Sequence, residues 1–490
     1  MKKFMILFTV FAMFFLVSCG GDSKDDDKTD TGGTTVDTGD TDPTDTGDTD
    51  TAEPTNPTDP TDSTEPTDPT EPTDTEEGGS WEAKYKKADE HAEKVSEDVV
   101  KANNDLGMKM FSKLAAAEAG KNMMISPLSI SIAMAMTANG TENESLAEMK
   151  EVLGYGKMDL PTVNEQFREL IASLVSADKD LVLEIADSIW LDETFSEEVK
   201  EEFITLLEES YDSELFKADF GDDATTGLIN SWVDEKTHGR IDNIINSIDP
   251  DAVMYLINAI YFKAAWSVAF NKDATNNNKF FLADGTETEA DFMSFIDSDD
   301  VHETIKYGNY LINDQYVAGV RVPYGRGAFA FYAYVANPDY GTSIDEVLPL
   351  DEIIGKVVEK GVADYLPSAT YKNYKILLPK FKFEYKKSLK DIFKSLGLER
   401  IFATGGLTAV NPMLYVSEIT HKTYIETNED GTEAAAVTEV VVEPGAAPGE
   451  EGPSRFLGFY GRRPFFFFIR DERNGSILFI GKVENPVYDK

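Results

Sequence analysis

The sequence predicts an α+β fold with large, mostly antiparallel sheets, and three observations lead there. Apolar residues recur at helical spacing in the early part of the folded region. Runs rich in β-branched and aromatic residues follow, with helical segments such as 196–210 and 387–396 between them. From Trp81 onward the composition is globular with no linker-like shift before Gly445, so residues 81–490 read as one large domain.

The first segment, MKKFMILFTVFAMFFLVSCGG, places two lysines before about a dozen apolar residues. That run is short for a membrane-spanning helix and has the charge layout of a secretory signal. It is either an ordinary signal peptide with an incidental Cys19 or a lipoprotein signal over 1–18. LVSC resembles the lipobox of bacterial lipoproteins, in which the cysteine becomes the first mature residue and carries acyl chains. Cys19 is the chain's one cysteine, so no internal disulfide is possible. Residues 20–80 hold 20 Asp or Glu and two Lys among Thr, Pro and Gly. Such a stretch has too little apolar surface to offset ordering entropy. With Cys19 it reads as an extended acidic tether reaching ~45 Å or more. A lipid at Cys19 would place the domain on the bacterial cell envelope, facing the periplasm or displayed at the surface.

Within the domain, EKVSEDVVKANNDLGMKMFSKLAAAEAG has helical periodicity and ends at Gly120. Ser126 and Pro127 form a helix start, cap then proline. Thr141 with Glu144 has the spacing of a capping box, and Gly154 ends that helix. LVLEIADSIWL, VMYLINAIYFKAAW, YVAGVRVPY, FAFYAYVA, YKILLPKFKFEY and ILFIGKV read as strands.

The composition also narrows function. A formal net charge of −45 argues against nucleic acid as partner. The chain has no nucleophile elbow, P-loop, HExxH or CxxC. Its four histidines, His91, His238, His302 and His421, lie far apart without metal-ligand spacing. The expectation is a protein that is not an enzyme and uses no cofactor or metal.

The most informative stretch is 429–456. From 432 the even positions are Thr432, Ala434, Ala436, Thr438, Val440 and Val442, and the odd ones Glu433, Ala435, Val437, Glu439, Val441 and Glu443. All the carboxylates fall on the odd face. Side chains alternate along a strand, so 432–443 has the pattern of a strand with one buriable face, ~40 Å long. Pro444 and a Gly/Pro-rich segment then end it. HKTYIETN just before is also strand-like, and Glu429-Asp430-Gly431 forms a hinge between the two. Either this is an ordinary sheet strand with a loop, or the segment is a loop in one state and a strand in another.

Here the chain resembles the serpins, over essentially all of 95–490. GTEAAAVT is similar to the hinge of the inhibitory reactive-centre loop, NMMISPLSISIAMAMTANG to the family's second-helix segment and INAIYFKAAW to its central strand. LGLERIF, LYVSEITHKTYIETNEDGTEAAA and ILFIGKVENP follow in the family's order. One departure is FYGRRPFFFFI, where Gly461 and Arg462 stand in place of an apolar residue and Asp or Asn. The resemblance implies a large central, mostly antiparallel sheet, further sheets, eight or nine helices and an exposed loop at about 430–460. It also implies suicide inhibition. A protease attacks the loop, forms an acyl-enzyme, and is trapped when the cut loop inserts as an extra strand.

Residues carried over by position are the hinge (Glu429, Gly431, Thr432, Glu433, Ala434, Ala435, Ala436), a "shutter" cluster (Ser126, Ser129, Asn258, His421) and a "breach" (Trp266, Lys380, Glu429). The Lys380–Glu429 pair is expected to behave as a surface ion pair worth ~0–1 kcal/mol. The family spacing puts the reactive bond at Gly445-Ala446, with Ala446-Ala447 as rival. Small residues there suit an elastase-like or subtilisin-like serine protease. A cysteine protease is a further target class, and Arg455 would suit a trypsin-like enzyme. The loop reads some eight residues longer than the family norm. The resemblance implies a monomer acting on proteases. A non-inhibitory serpin-fold binding or adhesion lipoprotein is the alternative.

Overall fold

Residues 80–196, 199–249, 252–296, 310–313, 317–336, 348–360, 374–432 and 458–488 are described by a computed structural model. All belong to a single unit, Pro72–Lys490. The helices in chain order are α1 (Trp81–Ala92), α2 (Glu97–Ala117), α3 (Pro127–Ala138), α4 (Asn143–Val152), α5 (Leu160–Leu174), α6 (Glu193–Ser196), α7 (Glu201–Tyr211), α8 (Ala224–Lys236), α9 (Leu350–Lys360) and α10 (Lys390–Ser395). Eight of these described helices reach ten residues.

The strands are β1 (Met123–Ile125), β2 (Leu181–Asp192), β3 (Glu214–Ala218), β4 (Met254–Ala265), β5 (Asn276–Phe281), β6 (Glu287–Ile296), β7 (Tyr310–Asn313) and β8 (Val317–Tyr324). They continue as β9 (Phe329–Ala336), β10 (Lys375–Pro379), β11 (Phe381–Ser388), β12 (Glu418–Thr427), β13 (Gly431–Thr432), β14 (Gly458–Tyr460), β15 (Phe465–Asp471) and β16 (Ile477–Val483). They form three sheets: β11-β12-β13-β4-β2-β3, β1-β16-β15-β9-β8-β7 and β14-β10-β6-β5.

Local chemistry explains the helix starts. Ser80, Ser96 and Asp159 each accept a backbone N–H in the first turn of α1, α2 and α5. Ser126 caps α3 through Ser129 N–H, with Pro127 in the first turn, and every residue of α3 is buried. The capping box at Thr141 does not form. Its hydroxyl donates instead to the carbonyl of Ala138 at 2.7 Å, and Glu142 takes the cap position of α4 without a side-chain bond. The preceding helix end thus captured the Thr141 hydroxyl first.

The run YKILLPKFKFEY, read as one strand, serves two sheets. β10 pairs with β6 and β14, whereas β11 pairs with β12 in the central sheet. The crossover is at Pro379-Lys380, where Pro379 offers no N–H and Lys380 N–H goes to Asp291.

The core lies between the central sheet and the second sheet. Phe262 of β4 meets Phe479 of β16 at 5.7 Å between ring centroids, and Phe381 of β11 meets Phe467 of β15 at the same distance. On the other face of β15, Phe466 meets Phe111 of α2 at 5.4 Å. Phe465–Phe468 are all buried because β15 is an inner strand covered on both faces, which is why four phenylalanines run without alternation.

Candidate functional site

The central sheet contains a seam. β12 and β4 lie parallel and pair directly over Glu418–Thr423 and Tyr255–Ile260. At the foot, Ser417 N–H donates to the carbonyl of Met254 at 3.0 Å. At the head the two strands part, and β13 enters between them. Thr432 pairs antiparallel with Thr427 on one side and with Ala264 on the other, and Gly431 pairs with Ala265. The seam is therefore closed below and wedged open above by two residues.

Thr432 is buried, and its hydroxyl lies 2.5 Å from the hydroxyl of Tyr324. Tyr324 stacks on Trp266 with ring centroids 4.5 Å apart. Trp266 in turn binds the turn before β13, donating its indole N–H to Asn428 O (2.9 Å) and its backbone N–H to Asp430 O (3.0 Å). Glu429 lies against Lys380 at 2.9 Å and accepts from the hydroxyl of Thr275 at 2.7 Å. The side chains of Glu429 and Lys380 are only 8% and 18% exposed, so the pair expected at the surface is largely buried. Burial alone would raise the Glu429 carboxyl, but the bonds from Thr275 and Lys380 outweigh it and hold it below its ordinary value.

Midway down the seam lies a polar cluster in an otherwise apolar layer. His421 of β12 and Asn258 of β4 are direct partners across the seam, and their side chains hydrogen-bond. Ser126 N–H donates to His421 Nε2 at 3.1 Å, so the imidazole proton sits on Nδ1 and points at Asn258 Oδ1. Asn258 Nδ2 donates to Ser129 Oγ (2.5 Å) and to Asp187 Oδ1 of β2 (2.6 Å). Ser126 Oγ donates to Leu478 O at 2.7 Å. Every member is buried. Burial pushes the His421 pKa down to about 3, so the ring is neutral throughout the physiological range.

A family model described as Serpin (serine protease inhibitor) matches residues 101–486. The chain belongs to the serpin family. It is 33% identical over 395 residues to Iripin-2 of Ixodes ricinus, covering 79% of this chain and 93% of that protein. The native-state crystal structure of tengpin, a thermophilic serpin, superposes with a TM-score of 0.68 at 30% identity, covering 80% of this chain and 95% of that one. Human thyroxine-binding globulin in complex with its hormone shares the fold at 22% identity, with a TM-score of 0.65, over 80% of this chain and 99% of that one. The family consists mostly of protease inhibitors rather than enzymes.

In this serpin the structure brings Ser126, Ser129, Asn258 and His421 into one cluster, and Trp266, Lys380, Glu429, Gly431 and Thr432 into another at the head of the seam. Glu433, Ala434, Ala435, Ala436, Gly445, Ala446, Ala447 and Cys19 lie outside the described residues. Among the described residues no group of three or more His, Cys, Asp or Glu side chains could hold a metal ion, and no helix is long and apolar enough to cross a membrane. His91 pairs with Glu169, and His238 packs its ring edge-on to Tyr261.

Sequence reasoning missed three participants, Asp187, Tyr324 and Thr275. Asp187 had a signal: it interrupts the apolar face Leu183-Ile185-Asp187-Ile189 of β2 with a carboxyl group. Tyr324 and Thr275 had none, because both meet the hinge only through tertiary contact.

Proposed function

We propose that this serpin is an inhibitor that traps its protease by inserting the cleaved loop along the seam. The observation that carries this reading is the register of Thr432. It is antiparallel to both flanking strands, and continuing it downward sets Thr438 opposite both Asn258 and His421, and Val442 opposite both Met254 and Ser417. The strand predicted by parity would thus fill the seam from head to foot. Its even face, Thr432 through Val442, would point where Thr432 already points, into the core. Small and β-branched side chains suit that layer, and the glutamates of the odd face would remain on the outer side.

Insertion needs the six paired positions between β4 and β12 to separate. His421 and Asn258 would part, and the hydroxyl of Thr438 could donate to one and accept from the other. Ser126 and Ser129, the Trp266–Tyr324 stack and the Lys380–Glu429 pair hold the two edges in place while this happens. The reactive bond is Gly445-Ala446, with Ala446-Ala447 as rival, and the target is a serine protease with a shallow primary pocket. The chain acts as a monomer, is not an enzyme, and is held on the bacterial envelope by lipid on Cys19, displayed at the surface or facing the periplasm.

Incubation with elastase-like, subtilisin-like and trypsin-like serine proteases, and with cysteine proteases, followed by a denaturing gel, tests this reading. A covalent complex at the summed mass is expected. Cleaved product alone with every protease would favour a binding role, the fold alone being shared with a hormone-binding protein.

A further inference from the structure

Asp187 lies at the inner end of the polar cluster, and the insertion mechanism above gives it no task. Its Oδ1 accepts from Asn258 Nδ2 at 2.6 Å and from Ser129 Oγ at 3.3 Å. Its Oδ2 is buried without a hydrogen-bond partner among the described residues. Among the described residues, the elements packed against it offer no compensating cation. α3 presents the neutral hydroxyls of Ser126 and Ser129, and β4 presents the Asn258 amide. β12 presents His421, whose Nε2 is already occupied by Ser126 N–H. On β3, Glu214 turns to Lys236 at the surface, 2.8 Å away.

We propose that Asp187 is a proton-dependent latch on the seam between β4 and β12: its neutral carboxyl keeps Asn258 locked to His421, and loss of the proton loosens the seam. The consequence for inhibition rests on the reading given above, whereas the latch itself does not. Both donors converge on Oδ1, so the proton of the neutral form sits on Oδ2. Releasing it to solvent leaves an anion in a dry layer with no counter-charge, a state costing several kcal/mol. Parting the seam admits water to the cluster and relieves that cost, so ionisation and opening favour each other. Burial raises the Asp187 carboxyl well above its ordinary value of 3.8, and no charged neighbour offsets this.

The sign follows from proton binding. Between the ordinary carboxyl value and the raised one, the closed fold holds a proton that the opened or unfolded chain does not. Closure is therefore most favourable at low pH and weakens as pH rises through that window, by up to about tenfold per pH unit.

The test is hydrogen exchange of the seam amides 255–260 and 418–423 in the full chain from pH 5 to 9. Rates are corrected for the intrinsic pH dependence of amide exchange, with the β8–β9 amides as internal reference. Seam protection is expected to fall ~10-fold or more across this range in the wild type, and less than ~2-fold in Asp187→Asn, whose amide cannot ionise. Parallel pH profiles in the two proteins, or a flat profile in the wild type, would overturn the latch. Should Asp187→Asn fail to fold, carboxyl-13C NMR of aspartate-labelled wild type decides instead. One aspartate whose carboxyl signal titrates well above those of all the others is expected, and the absence of such a signal refutes the proposal. No protease is involved, so the latch and the inhibitory reading fail separately.

Discussion

Thr438 is the position at which the register makes its sharpest demand. If β13 extends in the register set by Thr432, the side chain at 438 enters the gap between His421 and Asn258, both fully buried. Thr438→Arg would then carry a cation into a fully buried cluster whose one acidic side chain among the described residues, Asp187, already accepts from Asn258 and Ser129. An uncompensated buried charge costs about 3–5 kcal/mol. In the proposed mechanism insertion competes with hydrolysis of the acyl-enzyme, and each 1.4 kcal/mol is a factor of ten in rate. A barrier raised by that cost would slow trapping ~10²–10⁴-fold and turn the inhibitor into a substrate. Thr438→Val should slow it less, about tenfold, by leaving the parted amide and imidazole without their hydroxyl. Glu439→Arg lies on the opposite face and should leave trapping unchanged. The assay is the ratio of covalent complex to cleaved inhibitor on a denaturing gel, with the number of inhibitor molecules consumed per protease inactivated. Full trapping by Thr438→Arg, or equal losses at 438 and 439, would refute the register and the alternation together.

Other outcomes follow from the same geometry. Nicking the chain near Gly445 should raise the midpoint of thermal unfolding, because on the proposed mechanism the freed segment fills the seam that Gly431 and Thr432 enter at its head; an unchanged or lower midpoint would mean that 433–442 do not insert. Lys380→Met should lower stability by roughly 1–3 kcal/mol, between an exposed and a fully buried ion pair, as read from chemical denaturation at pH 7. The Glu429 carboxyl is held below its ordinary 4.5, so its contribution is present above that value and lost as pH falls through the lowered one; the gap between Lys380→Met and wild type should therefore shrink on acidification below pH 4.5. Cys19→Ala should move the protein from the membrane fraction to the soluble fraction without altering protease trapping, and retention in the membrane would contradict a lipid anchor at that residue.

The sequence by itself determined the elements whose periodicity was strong. β2, β4, β8, β9 and β16 fall where alternation or β-branched density put them, because side-chain period is a local property that tertiary packing reinforces. It also determined family, through motifs in fixed order, and the parity of 432–443 that separates glutamates from small residues. Helix starts were legible at Ser126, where the hydroxyl has one nearby N–H to cap, but not at Thr141, where the carbonyl of Ala138 competed for the same hydroxyl. Only the tertiary structure decided that YKILLPKFKFEY divides between two sheets, since a strand run says nothing about which partner each half meets. Only it showed Lys380–Glu429 to be buried, because burial depends on what covers a side chain rather than on its own chemistry. The seam itself is the clearest case. Each strand of it was visible in the sequence, yet the direct parallel pairing of β4 with β12, the two-residue wedge at its head and the convergence of Ser126, Ser129, Asp187, Asn258 and His421 depend on registers between segments up to 295 positions apart, which no local pattern encodes.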